Sequence, residues 1–272
     1  MVGHVEWVQF ARVPRVPLAG EVMHAYDAFE EPAGGGAVAA VQLARLAGEA
    51  TLFTAVGPDE HGRRSLTRLD ELRVKVRAAR HAAGTRKAVT LVDEDRERTI
   101  TTLGERLEPR GDDEDLPWGE LQEMDAVYFT AGDLGALRAA RAARVLVASP
   151  RAVHALGQGV SLDALVLSGN DAIERGEAAR AQQEARLVVV TEGPRGGSYR
   201  ERSGESGSWA AASLPGAPVD SYGCGDSFAA GLTYGLGAGL PVQAALALAA
   251  RCGAACLTGR GPYERQLTAS EV

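Results

Sequence analysis

A three-layer α/β/α sandwich with a mostly parallel central sheet and a small β-sheet lid is the fold this sequence predicts, and three observations carry it. Short apolar runs alternate with Ala-, Leu- and Arg-rich stretches of helical spacing along most of the chain. That β-then-α rhythm places parallel strands beneath helices on both faces. The run Leu187–Val190 is continuously apolar, as a strand buried on both sides must be. Two stretches, Val13–Glu31 and Lys87–Leu103, interrupt the rhythm and read as a small antiparallel sheet standing off the main layers.

Strands are predicted at Val2–Phe10, Thr51–Val56, Ala126–Thr130, Val145–Ala148, Ala164–Ser168 and Leu187–Thr191, where β-branched and large apolar residues concentrate. Helices are predicted at Ala37–Ala47, Asp59–Leu72, Leu134–Ala143, Arg151–Leu156 and Asp171–Glu184. The Arg-rich segment Arg63–Arg80 contains Asp70 and Glu71 and reads as a solvated helix face. Lys87–Leu103 reads as two strands joined by the charged turn Asp93–Arg96. Gly197–Ala212 reads as short antiparallel strands around Gly204–Gly207, followed by helices at Ser227–Gly237 and Val242–Leu257. The acidic run Gly111–Asp115 reads as a solvated turn. Residues 1–272 are expected to form one domain, with lid segments at about 11–33 and 86–104.

Composition narrows the function. A 45% apolar and 24% charged chain is that of an ordinary globular protein. A net charge of −7, with no basic cluster interleaved with aromatics, argues against a nucleic-acid surface. With neither a signal pattern nor an apolar run of membrane-spanning length, a cytoplasmic protein without a membrane partner is expected. Three cysteines make no disulfide framework. Cys252 and Cys256 read as small buried residues of a helix. Cys224 lies inside a glycine loop, where it is either a small residue or a thiol whose pKa the helix N-terminus lowers. The five histidines show no metal-binding spacing.

The chemistry concentrates at Val219–Gly231, where Gly223 and Gly225 flank Cys224, Asp226 follows, and a helical pattern begins. Glycines let main-chain N–H groups approach a phosphate, and a first helical turn offers unpaired donors with a favourable dipole. A carboxylate beside such an anion site is either an N-cap or a base that takes a proton from an attacking hydroxyl. Three further segments accompany it: Gly34-Gly35-Gly36 before an Ala-rich helix, Ser168-Gly169-Asn170-Asp171 after a strand, and Thr191–Gly197 after another. Ligands bind beyond the carboxyl ends of parallel strands, so the last two would face a cleft. A dinucleotide fingerprint is absent, which disfavours a dehydrogenase. Trp7 is either an acceptor-stacking ring or a core aromatic, and Arg151 either a phosphate contact or a surface residue.

Taken together these segments resemble the ribokinase-like, PfkB-type carbohydrate kinases over nearly the whole chain. The strongest match is Asp220–Phe228 (DSYGCGDSF), similar to the family's DTxGAGDxF. Val56–Gly62 resembles the family's VGxDxxG turn, and Arg98-Thr99-Ile100 a lid strand. The resemblance implies transfer of the ATP γ-phosphoryl group to a hydroxymethyl group, with Mg²⁺. It makes Asp226 the base and the main chain of Gly223, Cys224 and Gly225 the anion hole. It puts Asn170, Thr191, Gly193 and Gly196 on the nucleotide, and Glu6, Gly34, Gly35, Gly36 and Arg98 on the acceptor. Glu174 becomes a candidate for Mg²⁺ through water, and Asp220 for a monovalent cation, K⁺. A small-molecule alcohol is the implied partner, and the lid is a candidate homodimer surface.

Two departures stand out. Relatives carry an acidic residue three places after the Asn, where this chain has Ile173 and then Glu174. The first strand offers Glu6 and Gln9 but not the family's Asp. A nucleoside kinase, or a weakly active nucleotide or metabolite sensor of the same fold, are the alternatives these departures motivate.

Overall fold

The computed structural model describes residues 1–272, the side chain of Glu177 excepted. The chain opens with β1 (Glu6–Arg12), β2 (Asp27–Ala33), α1 (Gly35–Ala47), β3 (Ala50–Val56), α2 (Glu60–Glu71) and β4 (Val74–Arg80). It continues through β5 (Lys87–Val92), β6 (Arg98–Leu103), β7 (Ala126–Phe129), α3 (Leu134–Ala140), β8 (Val145–Ala148) and β9 (Leu162–Ser168). Then follow α4 (Ala172–Glu184), β10 (Ala185–Thr191), β11 (Gly197–Glu201), β12 (Ser206–Trp209), α5 (Cys224–Gly237) and α6 (Val242–Leu257).

The central sheet runs β12-β11-β10-β9-β8-β7, and the chain's first residues join it to the pair β3-β4. Val2 N donates to Tyr128 O at 2.9 Å on one side, and Gly3 N donates to Phe53 O at 3.0 Å on the other. From β10 to β4 every pairing is parallel, and β11 and β12 close the far edge antiparallel. Strand alternation splits the core between the two faces. Tyr128, Val147, Val166 and Val189 join one cluster with residues of α1, α5 and α6. Phe129, Leu146, Leu165 and Val188 join the other with residues of α3 and α4. The three-layer sandwich is therefore present.

Four strands form the lid, in the order β2-β1-β5-β6. It is a mixed sheet rather than the antiparallel one expected, because β1 pairs parallel with β5. The predicted strand Val2–Phe10 is in fact two pieces, one in each sheet. Between them, Gly36 N donates to His4 O at 3.2 Å, taking a carbonyl a ladder would need. Gly3 fits because a β-carbon there would lie 2.6 Å from Thr130 Cγ2 and 2.8 Å from Gly36 Cα.

The Arg63–Arg80 segment is not one helix face. Leu72 closes α2, Arg73 takes φ 62°, and Val74–Arg80 becomes a strand parallel to β3. Its Val-Lys-Val-Arg alternation carried that period, and the run of arginines masked it. The predicted helix Arg151–Leu156 is only a 3₁₀ turn at Pro150–Ala152, capped by Ser149 Oγ. Val13–Glu31 contributes a strand only from Asp27, since Pro14, Pro17 and Gly20 keep the earlier part irregular. In the acidic run, Asp113 is no free turn residue: it accepts from Arg110 N at 2.7 Å and faces His81 Nε2 at 3.0 Å.

The lid is tied to the body on its β2 side. Arg260 makes a two-pronged contact to Asp27 at 2.7 and 2.8 Å and lies 3.7 Å over the Phe29 ring. Arg68 grips Glu31 the same way at 2.9 and 3.0 Å. By contrast every residue of β6, the opposite edge, is exposed.

Candidate active site

Where the chain leaves the central sheet after Gly3 and enters β1, it passes the N-terminus of α1, and there the residues predicted for the base and the acceptor gather. Gly223 is the N-cap of α5 at φ 80°, ψ −1°, a left-handed conformation that favours glycine. A β-carbon at Gly223 would also lie 2.9 Å from Val38 Cγ1. No side chain caps this helix, so the first-turn N–H groups remain available to an anion. Asp226 is not the N-cap. It is the third residue of α5, and its carboxylate turns toward the start of α1: a β-carbon on Gly35 would sit 3.0 Å from Asp226 Oδ1 and 3.2 Å from Thr130 Oγ1. Among the described residues, no ion pair or side-chain hydrogen bond engages that carboxylate. Burial raises its pKa, with the Glu174 charge adding to the rise and Arg151 and Arg98 opposing it.

Most of the residues predicted for the acceptor assemble around Gly34. It caps α1 at φ 87°, its N–H donates to Tyr222 Oη at 3.3 Å, and a β-carbon there would lie 2.9 Å from the His4 ring and 3.3 Å from Glu6 Cγ. Gly36 packs still closer, its missing β-carbon 2.5 Å from His4 O. Glu6 is buried 3.5 Å from Arg86 Nε, and burial raises its pKa. His4 is held neutral, its pKa lowered to about 3 by burial and then by Arg106, Arg86 and Arg151. Arg98 begins β6 and reaches from the lid to Ser221, donating to its carbonyl at 3.3 Å and its hydroxyl at 3.2 Å. Trp7 belongs to the core, stacked on His61 at 5.7 Å with Arg64 4.2 Å over its ring.

The predicted nucleotide residues form a second group at the ends of β9 and β10. Gly169 N donates to Thr191 O at 2.8 Å, and a β-carbon on Gly193 would lie 3.9 Å from Asn170 Nδ2. Gly193 and Gly196 take φ 60° and 80°, and at Gly196 a β-carbon would lie 2.0 Å from Trp209 O. Asp171 caps α4 through the N–H groups of Ile173 and Glu174. Glu174 is committed within the protein. One oxygen accepts from Ser168 N at 2.8 Å and the other lies 2.8 Å from Arg151 Nε. Asp220 braces its loop: Oδ1 accepts from Tyr222 N at 2.8 Å and Oδ2 from Gly261 N at 3.1 Å. Among the described residues, no three His, Cys, Asp or Glu side chains converge on a metal position.

Cys224 settles the choice the sequence left. The Cys256 thiol beside it, and then burial, push its pKa up rather than down. Sequence reading missed His4, Thr130 and Tyr222. Thr130 ends a predicted strand at its carboxyl end, where polar residues face ligands, and that signal could have found it. Nothing in the sequence marked His4.

Among the described residues, no helix is long and apolar enough to cross a membrane. The family model for pfkB family carbohydrate kinases matches residues 1–157 and 161–269. A fructokinase of Klebsiella pneumoniae is 31% identical over 286 residues, covering 88% of this chain and 91% of that protein. Among solved structures, the ribokinase of Thermotoga maritima superposes with a TM-score of 0.76 at 19% identity, covering 99% of this chain and 96% of the other. The Arabidopsis thaliana ribokinase complexed with ribose and ATP gives 0.74 at 17%, covering 99% and 95%. The Burkholderia thailandensis nucleoside kinase in complex with inosine gives 0.75 at 17%, covering 99% and 94%. At these identities the superpositions speak for the ribokinase-like fold alone, while the family match and the fructokinase relative speak for the chemistry. The chain belongs to the pfkB family of carbohydrate kinases, phosphotransferases that use an alcohol group as acceptor.

Proposed function

We propose that the protein transfers the γ-phosphoryl group of ATP to a hydroxymethyl group of a small sugar, with Asp226 as general base. The observation that carries this is the Asp226 carboxylate, unpaired among the described residues, in the first turn of a helix no side chain caps. The base and the anion site then lie within one turn of α5. A hydroxyl between Asp226 and the γ-phosphorus loses its proton to the carboxylate as it attacks. Main-chain N–H groups of Gly223, Cys224 and Gly225 receive the charge developing on the transferring oxygens. ATP would lie along Asn170, Thr191, Gly193 and Gly196, and the acceptor among Glu6, Gly34, Gly35, Gly36 and Arg98.

Mg²⁺ fits as a companion of the phosphates, because the described residues offer it no cluster of their own. Asn170 would face it through water, and it would neutralise phosphate charge; Glu174 has less support in that role, since its two oxygens are held by Ser168 N and Arg151. K⁺ at Asp220 has less support, since both carboxylate oxygens already accept main-chain N–H groups. A nucleoside acceptor loses its aromatic platform with Trp7 buried, which favours a sugar. A homodimer contact is assigned to the lid, whose outer strand β6 is exposed throughout.

The test is ADP release from Mg²⁺–ATP over a panel of ketoses, aldoses and nucleosides, with wild type and Asp226→Asn. A fall in kcat of about 10²- to 10⁴-fold in the variant, with ATP binding retained, is expected for loss of a general base. Wild-type turnover by Asp226→Asn would remove the assignment. ATP binding without ADP release for any acceptor would leave the sensor reading in its place.

A further inference from the structure

Thr130 follows the last residue of β7 and is completely buried, yet its hydroxyl has no hydrogen-bond partner among the described residues. A valine would fill the same volume without stranding a polar atom, so a threonine here needs a reason. Its orientation narrows that reason. Thr130 N donates to Val2 O at 3.0 Å, fixing the main chain, and the methyl group packs on Gly3, whose missing β-carbon would lie 2.6 Å from Thr130 Cγ2. With Cγ2 so placed, Oγ1 faces the opening left by Gly35. Asp226 Oδ1 faces that same opening: the absent β-carbon of Gly35 would touch both oxygens, at 3.2 and 3.0 Å.

We propose that Thr130 is a positioning residue for Asp226, its hydroxyl donating to Oδ1 when the acceptor is seated and leaving Oδ2 to face the reacting hydroxyl. This rests on Asp226 being the base. A carboxylate that rotates freely presents either oxygen; one held at Oδ1 presents a single lone-pair direction to the acceptor. The hydrogen bond also favours the ionised form, which a desolvated carboxylate otherwise resists. The other charged groups that bear on Asp226 are Arg151 after β8, Arg98 of β6, Glu174 of α4 and Glu6 of β1. Thr130 contributes a donor that none of the carboxylates can supply.

The test compares Thr130→Val and Thr130→Ser with wild type in two measurements. In steady-state kinetics, Thr130→Val is expected to lower kcat by about 10- to 100-fold, the range for losing one hydrogen bond to a charged group. The acid limb of its pH profile should move to higher pH, and Thr130→Ser should restore both. In NMR titration of the Asp226 carboxyl carbon, with the acceptor sugar that the ADP-release panel identifies bound and ATP left out, the midpoint should rise in Thr130→Val and return in Thr130→Ser. A limb and midpoint that stay where wild type has them, or a serine variant no better than valine, would overturn the proposal. The titration needs no turnover. If Asp226→Asn proves active, the base reading fails by kinetics while the Thr130–Asp226 contact is still judged by the carboxyl midpoint.

Discussion

Replacing Gly35 by Ala adds one methyl group at a point that two oxygens face, and the structure sets the size of the result. Gly35 is the first residue of α1 and has no positive φ, so the backbone accepts alanine. The new carbon would stand 3.0 Å from Asp226 Oδ1 and 3.2 Å from Thr130 Oγ1, tighter than ordinary contact but relieved by a shift of a few tenths of an ångström. A displacement of 1 Å in a reacting group costs about 10²-fold, so a shift of this size should cost kcat about tenfold. Stability should not fall with it, because Gly→Ala in a compatible conformation stabilises by about 0.4–1 kcal/mol. The control is its neighbour. A β-carbon on Gly36 would meet main-chain atoms at 2.5, 2.7 and 2.8 Å, which cannot rotate away. Gly36→Ala should therefore lose about 3 kcal/mol or fail to fold, as overpacking does. Thermal unfolding and coupled ADP assays on both variants separate the cases. A Gly35→Ala protein with wild-type kcat would refute the placement of the Asp226 carboxylate against α1.

Further outcomes follow from the same geometry. Because burial raises the Asp226 pKa, the base protonates, and kcat/KM falls, at a pH above the ordinary carboxylate range; a limb at the ordinary value would contradict that environment. His4, with its pKa lowered to about 3, contributes stability that is present above its unfolded value near 6.5 and is lost as pH falls toward 3. At about pH 4 the loss is on the order of 3 kcal/mol, and His4→Gln should flatten it in acid titrations followed by circular dichroism. Arg260→Ala removes both the Asp27 contact and the stacking on Phe29, and being partly exposed should cost only about 1 kcal/mol while speeding amide exchange in β2. If the lid forms the homodimer, Ile100→Lys on β6 should convert it to a monomer in sedimentation, and an unchanged mass would move the contact elsewhere.

Most of the main sheet was legible because each buried strand is a short apolar run and each covering helix has its own periodicity. Leu187–Thr191 and Val145–Ala148 were found on that signal. β4 was not, since Lys75, Arg77 and Arg80 gave it the composition of the helix before it, and only the positive φ at Arg73 separates the two. The split of the first strand was equally hidden, because Val2 and Glu6–Arg12 have the same β-forming character and differ only in which sheet receives them. Within the site, the glycine loop and Asp226 announced themselves by spacing. His4 and Thr130 did not, as each becomes notable only when chain segments remote in sequence close around it. Glu174 shows the opposite case: its acidic character suggested a metal, and the fold spends it on Ser168 N and Arg151.

The bare N-terminus of α5 has an effect on folding as well as on chemistry. No side chain caps this helix, and in the function proposed above that position is taken by the phosphates of the nucleotide. Occupancy should therefore be visible as structure: amide exchange at Cys224–Asp226 should slow when nucleotide is added, and unfolding should shift upward with its concentration.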